Sequence, residues 1–136
     1  MLHIEMGIQT TRDQEKFSRL RQSLVRLRDE VRRLVEPYLS SRGVVAGSLY
    51  ELKRKCGKPS CRCASGEELH ARMVVSMKEG GKTKLRLVPK GSLVEVRRKA
   101  EVYRELRQAR TRLRAVLDEM LVVMDDMERM RRDEVE

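Results

Sequence analysis

The sequence predicts a mainly α protein with a small β unit, in which two long antiparallel coiled-coil helices flank a three-stranded β head stapled at its cysteines. Three observations predict this architecture. Apolar residues recur every three or four positions in two long segments, one in each half of the chain. The stretch between them alternates apolar and other residues around glycine turns. All three cysteines fall within nine residues of that stretch, "KCGKPSCRC", Lys55 to Cys63.

The composition agrees with narrow packing. Of 136 residues, 38% are charged and 40% apolar, with no Trp, one Phe and three Tyr. Few aromatics and many charges disfavour a thick globular core and favour solvated helices around a thin apolar seam. No apolar run approaches the ~18 residues needed to span a membrane. The opening "MLHIEMGIQTTRDQ" lacks a basic region followed by an apolar one, so no signal peptide is expected. The expected compartment is the reducing cytoplasm, and no membrane partner is expected.

Residues 1–10 are expected to form a flexible N-terminus. Thr11 to Gln14 reads as a capping box, a hydroxyl at the N-cap with Gln three residues on. Phe17, Leu20, Leu24, Leu27, Val31, Leu34 and Tyr38 then recur at alternating spacings of three and four, an a/d heptad seam. A helix is predicted from about Arg12 to Glu36, within an N-terminal coiled-coil segment spanning 11–39. Pro37 ends it, having no amide proton and disfavouring helix at the preceding residue.

The head is predicted over 44–90. "VVAGSLYELKRK" reads as a strand, with Leu49 on one face and Tyr50 and Leu52 staggered about it. "HARMVVSM" puts Met73, Val75 and Met77 on one face, and "TKLRLV" alternates Leu85 and Leu87 with Lys84 and Arg86. The two runs flank Gly80-Gly81 and predict a hairpin with both leucines inward. "GGKT" is not a phosphate loop: Ser76 stands where that motif needs its first glycine, and a strand follows.

Pro89 and Gly91 break the pattern, and Ser92 to Glu95 reads as a second capping box. A C-terminal coiled-coil helix is predicted over 92–133. Its seam is read as Val96, Tyr103, Leu106, Leu113, Leu117, Met120, Met124 and Met127, interrupted at Arg110, with a parallel stripe of Val102, Ala109, Val116, Val123 and Met130. At ~1.5 Å per residue the two helices are roughly 40 and 60 Å long, so the first cannot cover the second. The surplus apolar face predicts self-association, as a dimer or higher assembly, through Leu113, Leu117, Met120, Val123, Met124 and Met127.

The formal charge is +10 and is unevenly spread. Residues 42–90 carry twelve basic and four acidic side chains, net +8. Residues 91–114 hold eight basic and three acidic groups, whereas 115–136 hold three and eight, so the far tip is acidic. A concentrated basic patch is the electrostatic footprint of a polyanion. Lys53, Arg54, Lys55, Lys58 and Arg62, with Lys82, Lys84 and Arg86 on the hairpin, are the expected phosphate contacts. Tyr50 is the head's one aromatic. Duplex DNA, or RNA held by its backbone, therefore fits better than a single strand read by stacking.

An odd cysteine count in a reducing compartment disfavours a disulfide and favours metal ligation. Cys56, Cys61 and Cys63 supply three soft ligands, and Gly57 and Pro59 let the chain turn around an ion. His70 follows a turn, "ASGEE", at a spacing that lets it close a Cys3His site. His3 is remote, and Glu67 and Glu68 are harder donors. Four closed ligands predict a structural zinc, since a catalytic zinc keeps an open position. A catalytic thiol lacks a carboxylate or amide partner for His70, and no acid/base constellation or cofactor fingerprint points to an enzyme.

The run "GSLYELKRKCGKPSCRCASGEELH", then "GGKTKLRLVPK" and "VEVRRKAEVYRELR", resembles an uncharacterised family of small bacterial and archaeal proteins that carries a domain-of-unknown-function label. Its core reads G-S-L, K-C-G-K-P-x-C-R-C, a histidine, G-K-T and V-P before a coiled-coil helix. The resemblance covers about residues 47 to 110. It implies a compact cysteine-rich head beside long helices, with Cys56, Cys61, Cys63 and His70 at the matching candidate ligand positions. One departure is "ARMVVSM", where the resemblance leads one to expect aromatic residues.

Two functions follow as expectations. One is a non-enzymatic nucleic-acid-binding protein, an accessory factor of a nucleic-acid-processing or mobile-element complex. The other is a protein–protein adaptor with a purely architectural head and a docking partner at the acidic, Met-rich C-terminal tip.

Overall fold

The structure is a computed structural model that describes residues 8–133 and 135. The sequence expectation for residues 1–7 lies outside the described residues. The elements run α1 (Thr11–Val35), a 3-10 turn (Glu36–Leu39), β1 (Gly47–Arg54), a 3-10 turn (Arg62–Ser65), β2 (His70–Glu79), β3 (Lys82–Leu87), a 3-10 turn (Lys90–Ser92) and α2 (Leu93–Arg131). They divide into two compact units: a helical unit made of residues up to Ser40 and from Arg107 onward, and a head, Ser41–Leu106. The protein thus has two helices and a small three-stranded antiparallel sheet. No helix among the described residues is long and apolar enough to cross a membrane.

In the helical unit, α1 starts one residue earlier than predicted. Thr10, not Thr11, is the N-cap: its Oγ1 accepts the Asp13 amide at 3.0 Å and its carbonyl accepts the Gln14 amide at 2.9 Å. Two adjacent threonines offer the same hydroxyl, and only the chain's entry angle separates them. Asp13 in the first turn and Arg32 and Arg33 in the last complement the helix dipole. Pro37 falls inside the 3-10 turn, and regular helix stops at Val35, near the expected place.

α2 is one continuous helix of 39 residues, about 59 Å long. Its covered side takes in most of the predicted seam, with Val96, Tyr103, Leu106, Leu113, Met120 and Met127 half-buried, together with the parallel stripe. Val102, Ala109 and Val116 are buried, Val116 completely. Leu106, Leu113, Met120, Val123, Met127 and Met130 are half-buried. From Val102 these residues form an unbroken alternation of four and three, with Arg110 outside it. Leu117 and Met124, predicted to lie in the seam, are 45% and 38% exposed, beside Leu121 and Val122 at 59% and 61%. Arg112 of α2 reaches Glu30 of α1 through Nε at 2.7 Å and Nη2 at 3.2 Å. That hydrogen bond, reinforced by the guanidinium charge, holds the Glu30 carboxyl below its ordinary value.

In the head, the expected capping box at Ser92 is instead a 3-10 turn closed by the Ser92 amide on the Pro89 carbonyl at 2.9 Å. Glu95 engages Arg98 and Lys99 ahead of it. β1 begins at Gly47 rather than at Val44, because the Val45 amide is held by the Lys99 carbonyl at 3.2 Å. Gly47 is required: a Cβ there would meet the Ser76 carbonyl and Val75 Cγ1 at 2.6 Å.

The strands lie in the order β1-β2-β3. β1 pairs with β2 from Gly47↔Met77 to Arg54↔His70, and β2 pairs with β3 from Glu79↔Lys82 to Val74↔Leu87. Gly80 and Gly81, both at positive φ, form the two-residue hairpin. Facing residues share a side. Leu49, Met73, Val75, Met77, Lys84 and Arg86 therefore lie on one face; Leu52, Arg54, His70, Arg72, Val74 and Leu87 lie on the other. The core of the sheet is β2, with Val74 and Val75 buried on opposite faces. β3 is an edge strand exposed along its length. Its leucines do not turn inward as predicted: Leu85 and Leu87 are 43% and 59% exposed.

Candidate metal centre

The sheet register sets the site. Arg54 and His70 are paired at the ends of β1 and β2, so the 55–69 connection must leave and return at one place. Gly57 and Gly66, both at φ +85, supply left-handed turns open to glycine. Between them the Cys61 amide donates to the Lys58 carbonyl at 3.1 Å, and a 3-10 turn carries Cys63 inward. Cys63 is fully buried, Cys61 is half-buried, and Cys56 and His70 are exposed.

The ligand atoms of Cys56, Cys61, Cys63 and His70 all lie within 4.8 Å of one another. Cys63 Sγ is 3.4 Å from Cys56 Sγ, and Cys61 Sγ is 3.4 Å from His70 Nε2. Tetrahedral zinc with Zn–S near 2.3 Å holds its sulfurs about 3.8 Å apart, so the four donors fit such an ion after small adjustments. The Cys56 amide donates to Cys63 Sγ at 3.2 Å, the kind of outer hydrogen bond that orients a thiolate ligand.

The electrostatics favour a thiolate at one end. The Cys63 backbone amide, then His70 and the neighbouring thiols, lower the Cys61 pKa to about 6. Cys63 is pushed up: the Cys56 amide lowers it, but burial and the adjacent sulfurs prevail. A divalent ion would relieve that repulsion by binding both as thiolates. The four residues can therefore hold a metal ion as a closed set.

The eight predicted phosphate contacts divide by their neighbours. Lys53 pairs with Glu51 at 3.9 Å and Arg62 with Glu68 at 3.4 Å. Lys84 and Arg86 both reach Glu79 at 3.1 Å, and the Lys84 hydrogen bond, then the Arg86 hydrogen bond and charge, hold that carboxyl below its ordinary value. Arg54, Lys55, Lys58 and Lys82 have no acidic partner among the described residues. Sequence reasoning passed over Arg72, which faces Leu52 across the strands and lies on the same side of the sheet as Arg54 and His70. The available signal was its period-two spacing from His70.

Neither a curated protein nor a solved structure matches the chain. The model of a family described as a domain of unknown function (DUF6788) matches residues 19–98, from within α1 through the whole sheet and cysteine loop to the first turns of α2, and the chain belongs to that family.

Proposed function

We propose that this is a non-enzymatic, zinc-stapled protein whose basic head grips the phosphate backbone of nucleic acid, duplex DNA foremost, as an accessory factor of a nucleic-acid-processing or mobile-element complex. The observation that carries the reading is the convergence of Cys56, Cys61, Cys63 and His70 at the ends of β1 and β2. Metal binding there would fix the basic 53–62 segment against the sheet. The five cations of that segment, within a head of net +8 over residues 42–90, then become a shaped cationic surface instead of a floppy loop. Zinc is the favoured ion because three thiolates and an imidazole suit it and four ligands close its shell.

In the same proposal α1 and α2 pair as an antiparallel coiled coil, and a second copy covers the exposed stripe of Leu117, Leu121 and Met124. Two heads would then engage one duplex with gains from effective concentration. The test is an anisotropy titration of zinc-loaded protein with duplex DNA and structured RNA across salt. Affinity should fall by about 0.9 log units per log unit of salt for each phosphate engaged on duplex DNA. Absence of binding to either polymer at low salt would overturn the nucleic-acid reading.

A second reading has its own support. The exposed Leu117, Leu121, Val122 and Met124 lie within the acidic C-terminal segment 115–136 and suit a docked protein. In that adaptor the head is architectural, and binding would be insensitive to charge reversal in residues 53–62.

A further inference from the structure

We infer that the phosphodiester backbone of duplex DNA is seated in one cleft of the head, on the sheet face of Arg54 and Arg72, and not on the hairpin. This rests on the nucleic-acid reading above and names the surface that performs it.

The cleft holds about 360 Å³ beside the metal centre and is lined by Leu52, Arg54, Lys55, Cys56, His70, Arg72 and Leu87. A second groove of about 910 Å³ shares His70, Arg72 and Leu87 with it and continues along the chain to Lys90. Beside this groove β2 runs past the end of β3: ladder pairing stops at Val74↔Leu87, and a single further bond joins the Val88 amide to the Met73 carbonyl. The two hollows form a track along which Arg54, Lys55, Arg72 and Lys90 succeed one another.

Three features select the ligand. First, no acidic residue lines either hollow, and none of these four cations has an acidic partner among the described residues. Two of the three β3 cations differ, since Lys84 and Arg86 share Glu79, leaving Lys82 alone at the turn. A phosphate approaching the hairpin must compete with that carboxylate; in the cleft no carboxylate competes, and Arg54, Lys55, Arg72 and Lys90 outweigh the single net negative charge of a zinc held by three thiolates and an imidazole. Second, two guanidiniums suit phosphate because each can donate two parallel hydrogen bonds to its oxygens. Third, the walls between the cations are Leu52 and Leu87, the latter 59% exposed. They give apolar surface for a sugar edge but no stacking platform for a base. The cleft therefore recognises backbone without reading sequence, as duplex binding by charge requires. The metal contributes at a distance: Cys56 and His70 form one end of the cleft, so closing the metal centre fixes Arg54 and Lys55.

The experiment titrates zinc-loaded full-length chains with a fluorescent 20-base-pair duplex across salt, monitoring zinc content and circular dichroism for each variant. Arg54→Gln with Arg72→Gln should weaken low-salt binding at least about tenfold and reduce the salt slope by about 1.8, two phosphates' share. Lys84→Gln with Arg86→Gln changes net charge equally and should weaken binding less than about threefold. Leu87→Glu, at an exposed position that needs no repacking, should match the first pair by adding a carboxylate to the cleft wall. It also serves if Arg54→Gln disturbs zinc loading. Equal losses from the two double variants, or an unaffected Leu87→Glu, would overturn the cleft while leaving nucleic-acid binding intact. Failure of the wild-type protein to bind duplex DNA or structured RNA would overturn both, and so would capture of polyglutamate in preference to DNA.

Discussion

The head and the helical unit solve the problem of a thin core differently. The helical unit buries a repeating line of side chains along α2, centred on Val116, and adds the bidentate Glu30–Arg112 pair. The head gathers Val74, Val75 and Cys63 in its sheet and cysteine loop, with Ala100 and Val102 on the helix start, whereas the helical unit buries just Ala109 and Val116 among the described residues and otherwise relies on half-buried side chains. Burial distributed over many turns tolerates loss at one point. Burial in the sheet and cysteine loop rests on three side chains clustered around the four candidate ligands, so that part of the head depends on its staple. One unit should therefore respond to metal and the other to packing.

The largest effect should come from removing metal. Chelation is expected to release amide protection across β1, β2 and β3 and leave most helical circular dichroism intact. Hydrogen exchange resolved by segment measures it, and equal loosening of both units would erase the contrast. Cys63→Ser should act like chelation, because Cys63 is the buried donor that accepts the Cys56 amide.

Packing sharpens the contrast from the other side. Val116→Ala should cost the helical unit about 2 kcal/mol, by lost burial and a residual cavity, without altering metal content. Leu117→Ala, at the exposed neighbour, should cost under about 0.5 kcal/mol in an unassociated chain. Urea unfolding of both variants at low concentration decides which residue lies in the seam.

A smaller effect is expected at Glu30. Arg112 depresses its folded-state pKa, so the pair stabilises the fold above the ordinary glutamate range and loses that contribution as pH falls through the lowered value. Glu30→Gln should thus lower the thermal midpoint at pH 7 but not at pH 2. A deficit that persists undiminished at pH 2 would assign the residue a packing role instead.

Much of this organisation was legible in the sequence. Two heptad patterns announced the helices, Gly80-Gly81 announced the hairpin, and the cysteine spacing with His70 announced the four residues that converge. The misses have physical causes. On α2 two apolar stripes lie side by side. Both contribute to the covered side, and only Leu117 and Met124 of the predicted seam fall outside it, because beyond Leu113 the covered line follows Val116, Met120, Val123 and Met127. In β3, alternation separates Leu85 and Leu87 from Lys84 and Arg86, but it carries no information on which face is covered. An edge strand can leave both open. Charge counting identified a basic head but not which cations face acids. Glu79 lies far enough from Arg86 in sequence that only the hairpin register brings them together.

The most direct test of the metal-stapled head is elemental analysis of protein purified without chelator, run beside Cys61→Ser and His70→Ala. The account predicts about one zinc per wild-type chain, lost in Cys61→Ser and weakened or lost in His70→Ala. Wild-type protein without stoichiometric metal, or a Cys61→Ser variant that retains it fully, would contradict the account.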